Sequence, residues 1–251
     1  MTPPSSTPRG AAPPFAAVYF DCDSTLATVE GIDELVSGLA PAQQREVLAL
    51  TQQAMDGTLP LADVYRSRLA TIAPSRDALV AVGARYVAAM VPDADGVVQA
   101  LQHLGKRVGI VSGGLLAPVQ ALAHHLGVHP SHVHAVPLQF AADGSYLDFD
   151  RSCPLWQNGG KVTVLKALPP DHRPLAFVGE GITDLETPGT AAALFVGFGG
   201  VAARETVRTA AQAWFDTPTL APLLRIVLSP PELARLGAEP RFAPLLSRAG
   251  L

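Results

Sequence analysis

The sequence predicts an α/β protein built on a doubly wound parallel sheet, with a helical cap inserted after the first strand and a small β-hairpin flap. Three observations carry that expectation. Short apolar runs recur at Ala16 to Phe20, Arg107 to Val111, Leu175 to Val178 and Ala193 to Val196, the pattern of strands buried on both faces. Each run gives way to a polar or glycine-bearing loop: Asp21-Cys22-Asp23-Ser24-Thr25, Ser112-Gly113-Gly114, Gly179-Glu180-Gly181 and Gly197-Phe198-Gly199-Gly200. Helical stretches lie between most of the runs, at Leu115 to Leu126, Val162 to Leu168 and Ala202 to Ala211, as right-handed crossovers between parallel strands require. In such sheets ligands bind beyond the carboxyl ends of the strands, where these loops gather.

The interval from the first strand to Arg107 is too long for one crossover and reads as helix throughout. Ile32, Leu35, Val36 and Leu39 recur at helical spacing, and so do Leu79, Gly83, Tyr86, Val87 and Met90, which marks them as inward-facing stripes. Between them, Pro60 suits the first position of a helix that puts Leu61, Val64, Tyr65, Arg68 and Ile72 on one face. The stretch Gln139 to Phe149 contains Asp143-Gly144, a hairpin signal. The expected organisation is a flexible tail over residues 1–14, a discontinuous core from residues 15–27 and 98–251, and a cap over residues 28–97.

Composition narrows the function. Hydrophobic residues make up 48% of the 251 and charged residues 16%, which excludes a disordered, solvating chain. With 18 basic against 22 acidic residues and a net charge of -4, no positive field gathers a polyanion, so nucleic acid is not an expected partner. No uninterrupted apolar run approaches the roughly 18 residues of a membrane span, and no membrane partner is expected. Cys22 and Cys153 are the only cysteines, too few for a disulfide framework and too far apart for a metal knuckle. The polar segment Met1 to Pro14 has no apolar stretch ahead of a cleavage site, unlike a secretion signal. A reducing cytoplasm is the expected compartment.

The loops hold the residues capable of chemistry. Asp21 and Asp23 stand two apart just past the first strand, where both can turn into one cleft, one to attack and the other to handle protons. Alone, the pair equally describes an acidic surface turn. Ser112-Gly113-Gly114 leads from a strand into a helix, where backbone N–H groups and a hydroxyl can hold a phosphate, although such turns more often simply connect elements. Gly159-Gly160-Lys161 opens another helix with a cation, or with an ordinary surface lysine. Gly179-Glu180-Gly181-Ile182-Thr183-Asp184 supplies two more acids beyond a strand, a setting Mg²⁺ uses. Arg68 interrupts the apolar stripe Leu61, Val64, Tyr65 and Ile72; it either snorkels or pairs within the cap, or else it faces the site. Glu30 stands just before the first cap helix, close to the loop of Asp21 and Asp23.

Taken in order, these motifs make the chain resemble the haloacid dehalogenase superfamily of aspartate-nucleophile phosphatases from about Val18 to Leu224, and within it the branch that acts on phosphoserine. The resemblance implies a Rossmann-like core with a cap of the C1 type and a covalent mechanism. Asp21 would be the nucleophile and Asp23 the acid and base. Ser112, Gly113 and Lys161 would bind phosphate. Mg²⁺ would be held by Asp21, the backbone carbonyl of Asp23 and Glu180, with Thr183 and Asp184 in support. Glu30 would take the substrate ammonium and Arg68 its carboxylate, while Met55 and Leu61 match apolar cap positions and Arg204 has a counterpart near the site. The family often has Phe where Leu61 stands, and normally Asp where Glu180 stands.

The expected activity is therefore Mg²⁺-dependent hydrolysis of L-phosphoserine to serine and phosphate, as in serine biosynthesis. A phosphatase for another small amino-acid or amine phosphate is the neighbouring alternative. Glu180 also leaves open a binding or regulatory protein on the same scaffold with impaired chemistry. His124-His125, His132-Val133-His134 and Cys22 are read as packing or surface residues. Ser229 to Leu251 lies beyond the resemblance.

Overall fold

The computed structural model describes residues 13–55 and 61–251, and for residues 51–55 and 61 the backbone alone. Of the expected tail over residues 1–14, all but the last two residues fall outside the described residues, as does Pro60. Among the described residues, β1 (Ala17–Phe20), β2 (Arg107–Leu115), β3 (Val133–Val136), β6 (Leu175–Gly179), β7 (Leu194–Phe198) and β8 (Ala213–Phe215) form one sheet, and β4 (Leu138–Phe140) pairs with β5 (Tyr146–Phe149). The large sheet is parallel and ordered β3-β2-β1-β6-β7-β8, whereas β4 and β5 are an antiparallel hairpin, as Asp143-Gly144 predicts.

β1 lies inside the sheet because every residue of Ala-Val-Tyr-Phe is buried. Phe20 sits beside Ile110 on one flank and Val178 on the other. The chain therefore winds one way from β1 through β2 to β3 and the other way from β6 through β7 to β8. Between β1 and β6 the direction reverses, and a crevice opens beyond their carboxyl ends. Fully buried side chains such as Phe177 and Phe195 each stabilise this core by about 1.5–3 kcal/mol.

The four anticipated strands are present, with two differences. β2 continues to Leu115, and its register against β3 shifts between Val111 and Leu115, so Ser112-Gly113-Gly114 form an irregular strand end rather than a separate loop. β3 and β8 were not expected. Both are edge strands; β3 carries a histidine inside its apolar run and β8 is only three residues long, too short to show a period.

Helices α1 (Gly31–Ser37), α2 (Pro41–Met55), α3 (Leu61–Ile72) and α4 (Arg76–Ala88) occupy the interval after β1. Ser75 caps α4 by accepting the Ala78 amide at 3.2 Å, and α4 buries Leu79, Val82, Gly83 and Tyr86. The chain enters and leaves this helical segment side by side: the Thr28 amide donates to the Ala89 carbonyl at 2.7 Å, and Val91 to Leu26 at 2.9 Å. α5 (Ala94–His103), α6 (Leu116–His125), α7 (Gly160–Ala167) and α8 (Glu205–Ala210) are the crossovers flanking the sheet. No helix among the described residues is long and apolar enough to cross a membrane.

The C-terminal stretch forms α9 (Leu223–Val227), α10 (Pro230–Gly237) and α11 (Ala243–Arg248). It is tied to the start of the sheet by Lys106, whose buried Nζ donates to the Phe15 carbonyl at 2.7 Å and to Glu232 at 2.5 Å. Arg248 reaches Asp93, at the start of α5, at 2.6 Å. This packing accounts for the order of a segment that carries no motif.

Candidate active site

The Asp21 amide donates to the Val178 carbonyl at 2.8 Å, holding the backbone in sheet register one residue past β1. The chain then coils: the amides of Thr25, Leu26 and Ala27 converge on the Cys22 carbonyl at 3.2, 2.8 and 3.1 Å, and Ser24 takes a φ of 52°. This turn leaves Asp21 and Asp23 lining one cleft of about 230 Å³.

β6 and α7 build the facing wall. Asp184 turns back so that its Oδ2 accepts the Gly181 amide at 2.8 Å. Lys161, in the first turn of α7, places Nζ 2.7 Å from Asp21 Oδ2 and 2.5 Å from Asp184 Oδ1. Exposure is 7% for Asp21, 5% for Lys161 and 0% for Asp184, so this charge cluster depends on mutual pairing. Burial disfavours the Lys161 ammonium, but Asp184 and Asp21 together raise it above the usual lysine range. Burial likewise pushes the Asp184 carboxyl up to about 7, with Lys161 pulling the other way.

Asp23 has different surroundings. Its Oδ1 accepts the Gly31 amide at 3.1 Å and the Tyr86 hydroxyl. Burial, reinforced by the Glu30 carboxylate, pushes it up to about 8 against those donors. Burial thus favours the protonated form of Asp23, the form a general acid uses. Glu30 accepts the Ser24 hydroxyl at 2.6 Å, and burial raises it too.

β2 contributes the third wall. Ser112 Oγ accepts the Gly114 amide at 3.0 Å, and the Tyr65 hydroxyl of α3 donates to the Gly113 carbonyl at 3.3 Å. Arg68, also on α3, lines the cleft with its side chain 19% exposed. Its ion partner is the largely exposed Asp33 at 3.5 Å, and its buried Nε has no hydrogen-bond partner. Burial lowers its pKa. An arginine so weakly satisfied is suited to an incoming anion.

Of the residues singled out from sequence, Asp21, Asp23, Glu30, Arg68, Ser112, Gly113, Lys161, Glu180 and Thr183 line this cleft together. Asp184 lies behind Lys161. Arg204 is not in the lining; its Nε donates to Glu180 at 2.5 Å from a half-exposed position. The side chains of Met55 and Leu61 lie outside the described residues. Sequence reasoning missed Tyr65 and Tyr86, which sit on stripes read as core, and the lining residues Trp156 and Gln157. For the latter, nearness to Gly159-Gly160-Lys161 was the available signal. Cys22 is fully buried, and burial raises its thiol, which suits a packed residue. His132 and His134 are not in the cleft lining.

The donor set suits a hard divalent cation. Asp21, Asp23, Glu30, Glu180 and Asp184 bring five carboxyl groups toward Lys161, Arg68 and Arg204, and burial raises Glu180 even though Arg204 pairs with it. Oxygen donors in excess over fixed cations are what Mg²⁺ binds. Among the described residues no three carboxylate, imidazole or thiol groups close on one point; Lys161 pairs with Asp21 and Asp184, and Arg204 with Glu180.

A parallel sheet with paired aspartates at its switch point, a serine and a buried lysine in the same cleft defines a class, and the chain belongs to the haloacid dehalogenase-like hydrolases, whose family model matches residues 15–191. Within that class it is similar to the phosphoserine phosphatase of Mus musculus, with 36% identity over 80% of this chain and 88% of that one. The Homo sapiens phosphoserine phosphatase is 35% identical over the same shares. In fold it is similar to a phosphoserine phosphohydrolase-like protein from Francisella tularensis, with a TM-score of 0.72 at 23% identity over 84% of this chain and 99% of that one. A substrate-bound phosphoserine phosphatase complex aligns with a TM-score of 0.68 at 22% identity, over 86% of this chain and 100% of that one.

Proposed function

We propose that this hydrolase is a Mg²⁺-dependent phosphatase of the cytoplasm that converts L-phosphoserine to L-serine and phosphate, and so supplies serine. The observation that carries the reading is that the Asp21 and Asp23 pair shares its cleft with Glu30 and Arg68, an anion and a cation matched to the charged ends of an amino acid.

In this reading Asp21 attacks phosphorus, the bond from phosphorus to the serine oxygen breaks, and Asp23 gives its proton to that oxygen. Asp23 then takes a proton from water, the water oxygen attacks the aspartyl-phosphate, and the bond to Asp21 breaks. Ser112, the Gly113 amide and Lys161 hold the phosphate oxygens. Asp21, the Asp23 carbonyl and Glu180 would hold Mg²⁺, with Thr183 and Asp184 in support; when bound, the ion offsets repulsion between the Asp21 carboxylate and phosphate. Glu30 takes the ammonium and Arg68 the carboxylate by a two-pronged contact. Met55 and Leu61 match apolar positions of the family's cap, and Arg204 orients Glu180. Residues 28–97 act as the cap over a core of residues 15–27 and 98–251.

Turnover of phosphoserine against a panel of phosphate monoesters, with and without Mg²⁺, tests this. The expected result is Mg²⁺-dependent hydrolysis that favours phosphoserine. Release of phosphate from no ester, or equal rates on esters lacking the amino and carboxyl groups, overturns it.

A further inference from the structure

The two oxygens of Asp23 are not equivalent. Oδ1 accepts two donors, the Gly31 amide and the Tyr86 hydroxyl. Oδ2 lies against Gly114, where an added Cβ would stand 2.8 Å from it and 3.2 Å from Ser112 Oγ. Tyr86 is fully buried on α4, and its hydroxyl passes over Gly31, where a Cβ would fall 2.2 Å away. Only glycine at position 31 admits this approach. A phenol is protonated at neutral pH and so donates.

We propose that Tyr86 is a positioning residue for Asp23: by saturating Oδ1 together with the Gly31 amide, it leaves Oδ2, the oxygen that lies against Gly114, to deliver the proton. An oxygen already accepting two hydrogen bonds has no free lone pair well placed for a third hydrogen. A proton that Asp23 delivers is therefore delivered from Oδ2, on the Gly114 side of the carboxyl group. Because Tyr86 belongs to α4, the acid is correctly turned only when α4 is docked on the loop of Asp21 to Gly31. The inference rests on the phosphatase reading above.

Tyr86→Phe removes the hydroxyl and keeps the ring. The decisive readout is kcat/KM, which reports steps through departure of the leaving group, on two substrates: phosphoserine, whose alkoxide leaves only with a proton, and p-nitrophenyl phosphate, whose phenolate leaves without one. Loss of acid positioning lowers kcat/KM for phosphoserine by about tenfold or more, a part of the general-acid contribution, and leaves the aryl ester within about twofold. Gly31→Ala, which drives the hydroxyl off Asp23, produces the same selective loss, and the double variant is no worse than Tyr86→Phe alone. Equal losses on both esters mark Tyr86 as structural and overturn the inference, as does an unchanged ratio in both single variants. A wild-type protein that hydrolyses neither ester overturns the phosphatase reading itself, and the inference falls with it.

Discussion

Arg204 Nε stands 2.5 Å from Glu180 Oε2, so the glutamate that follows β6 is gripped by an arginine whose own side chain is 44% exposed. The grip fixes a carboxylate one methylene longer than the aspartate usual in this family. Glu180 also lines the cleft, where a carboxylate can serve a cation. Mg²⁺ demands near-octahedral geometry at about 2.0–2.1 Å, and a tethered glutamate meets that demand better than a loose one.

Glu180→Gln is therefore expected to weaken Mg²⁺ binding sharply, by about tenfold or more, while Glu180→Asp retains it. Calorimetric titration of the metal in the absence of substrate reads this directly. A glutamine variant that titrates like the wild type removes Glu180 from the ligand set.

Asp21→Asn keeps the volume and the Cys22 amide contact, for which the aspartate oxygen lies at 2.7 Å, but supplies no anion to attack phosphorus. Turnover should fall on the order of 10³-fold or more with the circular dichroism spectrum unchanged. Near-wild-type turnover in this variant would rule out a covalent intermediate on Asp21.

Arg68→Ala is expected to cost on the order of 2–5 kcal/mol in kcat/KM for phosphoserine, the scale for losing one partner of a desolvated charge contact. An ester with neither carboxylate nor ammonium should suffer far less. Parallel losses on both would mean that the arginine, with its Asp33 partner 3.5 Å away, merely braces the helices.

Asp23 and Asp184 give the metal-free protein a defined pH response. Burial raises them to about 8 and about 7, from 3.8 when unfolded, so the folded state binds their protons more tightly than the unfolded chain does. Their contribution to stability is complete below about pH 4 and is lost as pH rises toward 8. Thermal unfolding in chelator should show a melting temperature that declines between pH 5 and 8, and Asp23→Asn should flatten that decline. A melting temperature that climbs over this range contradicts the assigned directions.

The motifs at Asp21 to Thr25, Ser112 to Gly114, Gly159 to Lys161 and Gly179 to Asp184 are legible in the sequence for a physical reason. Each is a run of neighbours at the end of a buried strand or the start of a helix, so local backbone geometry alone sets where its side chains point. The central strands are legible likewise, because burial on both faces demands unbroken apolar runs such as Ala17–Phe20. Edge strands β3 and β8 obey no such demand.

Tertiary structure alone decides what distant segments do to one another. Tyr86 on an apolar stripe is indistinguishable from core until α4 settles on the loop that carries Asp23 and turns the hydroxyl onto Oδ1. Arg68 reads equally as a rim residue or a ligand until burial leaves its Nε without a partner in the cleft. The pairing of Arg204 with Glu180 spans 24 residues, and no periodicity records it. Sequence determines which chemical groups stand at the strand ends, because those are local consequences of burial and turn geometry. Charge states and orientations come from desolvation and from partners far along the chain, and these exist only once the chain has packed.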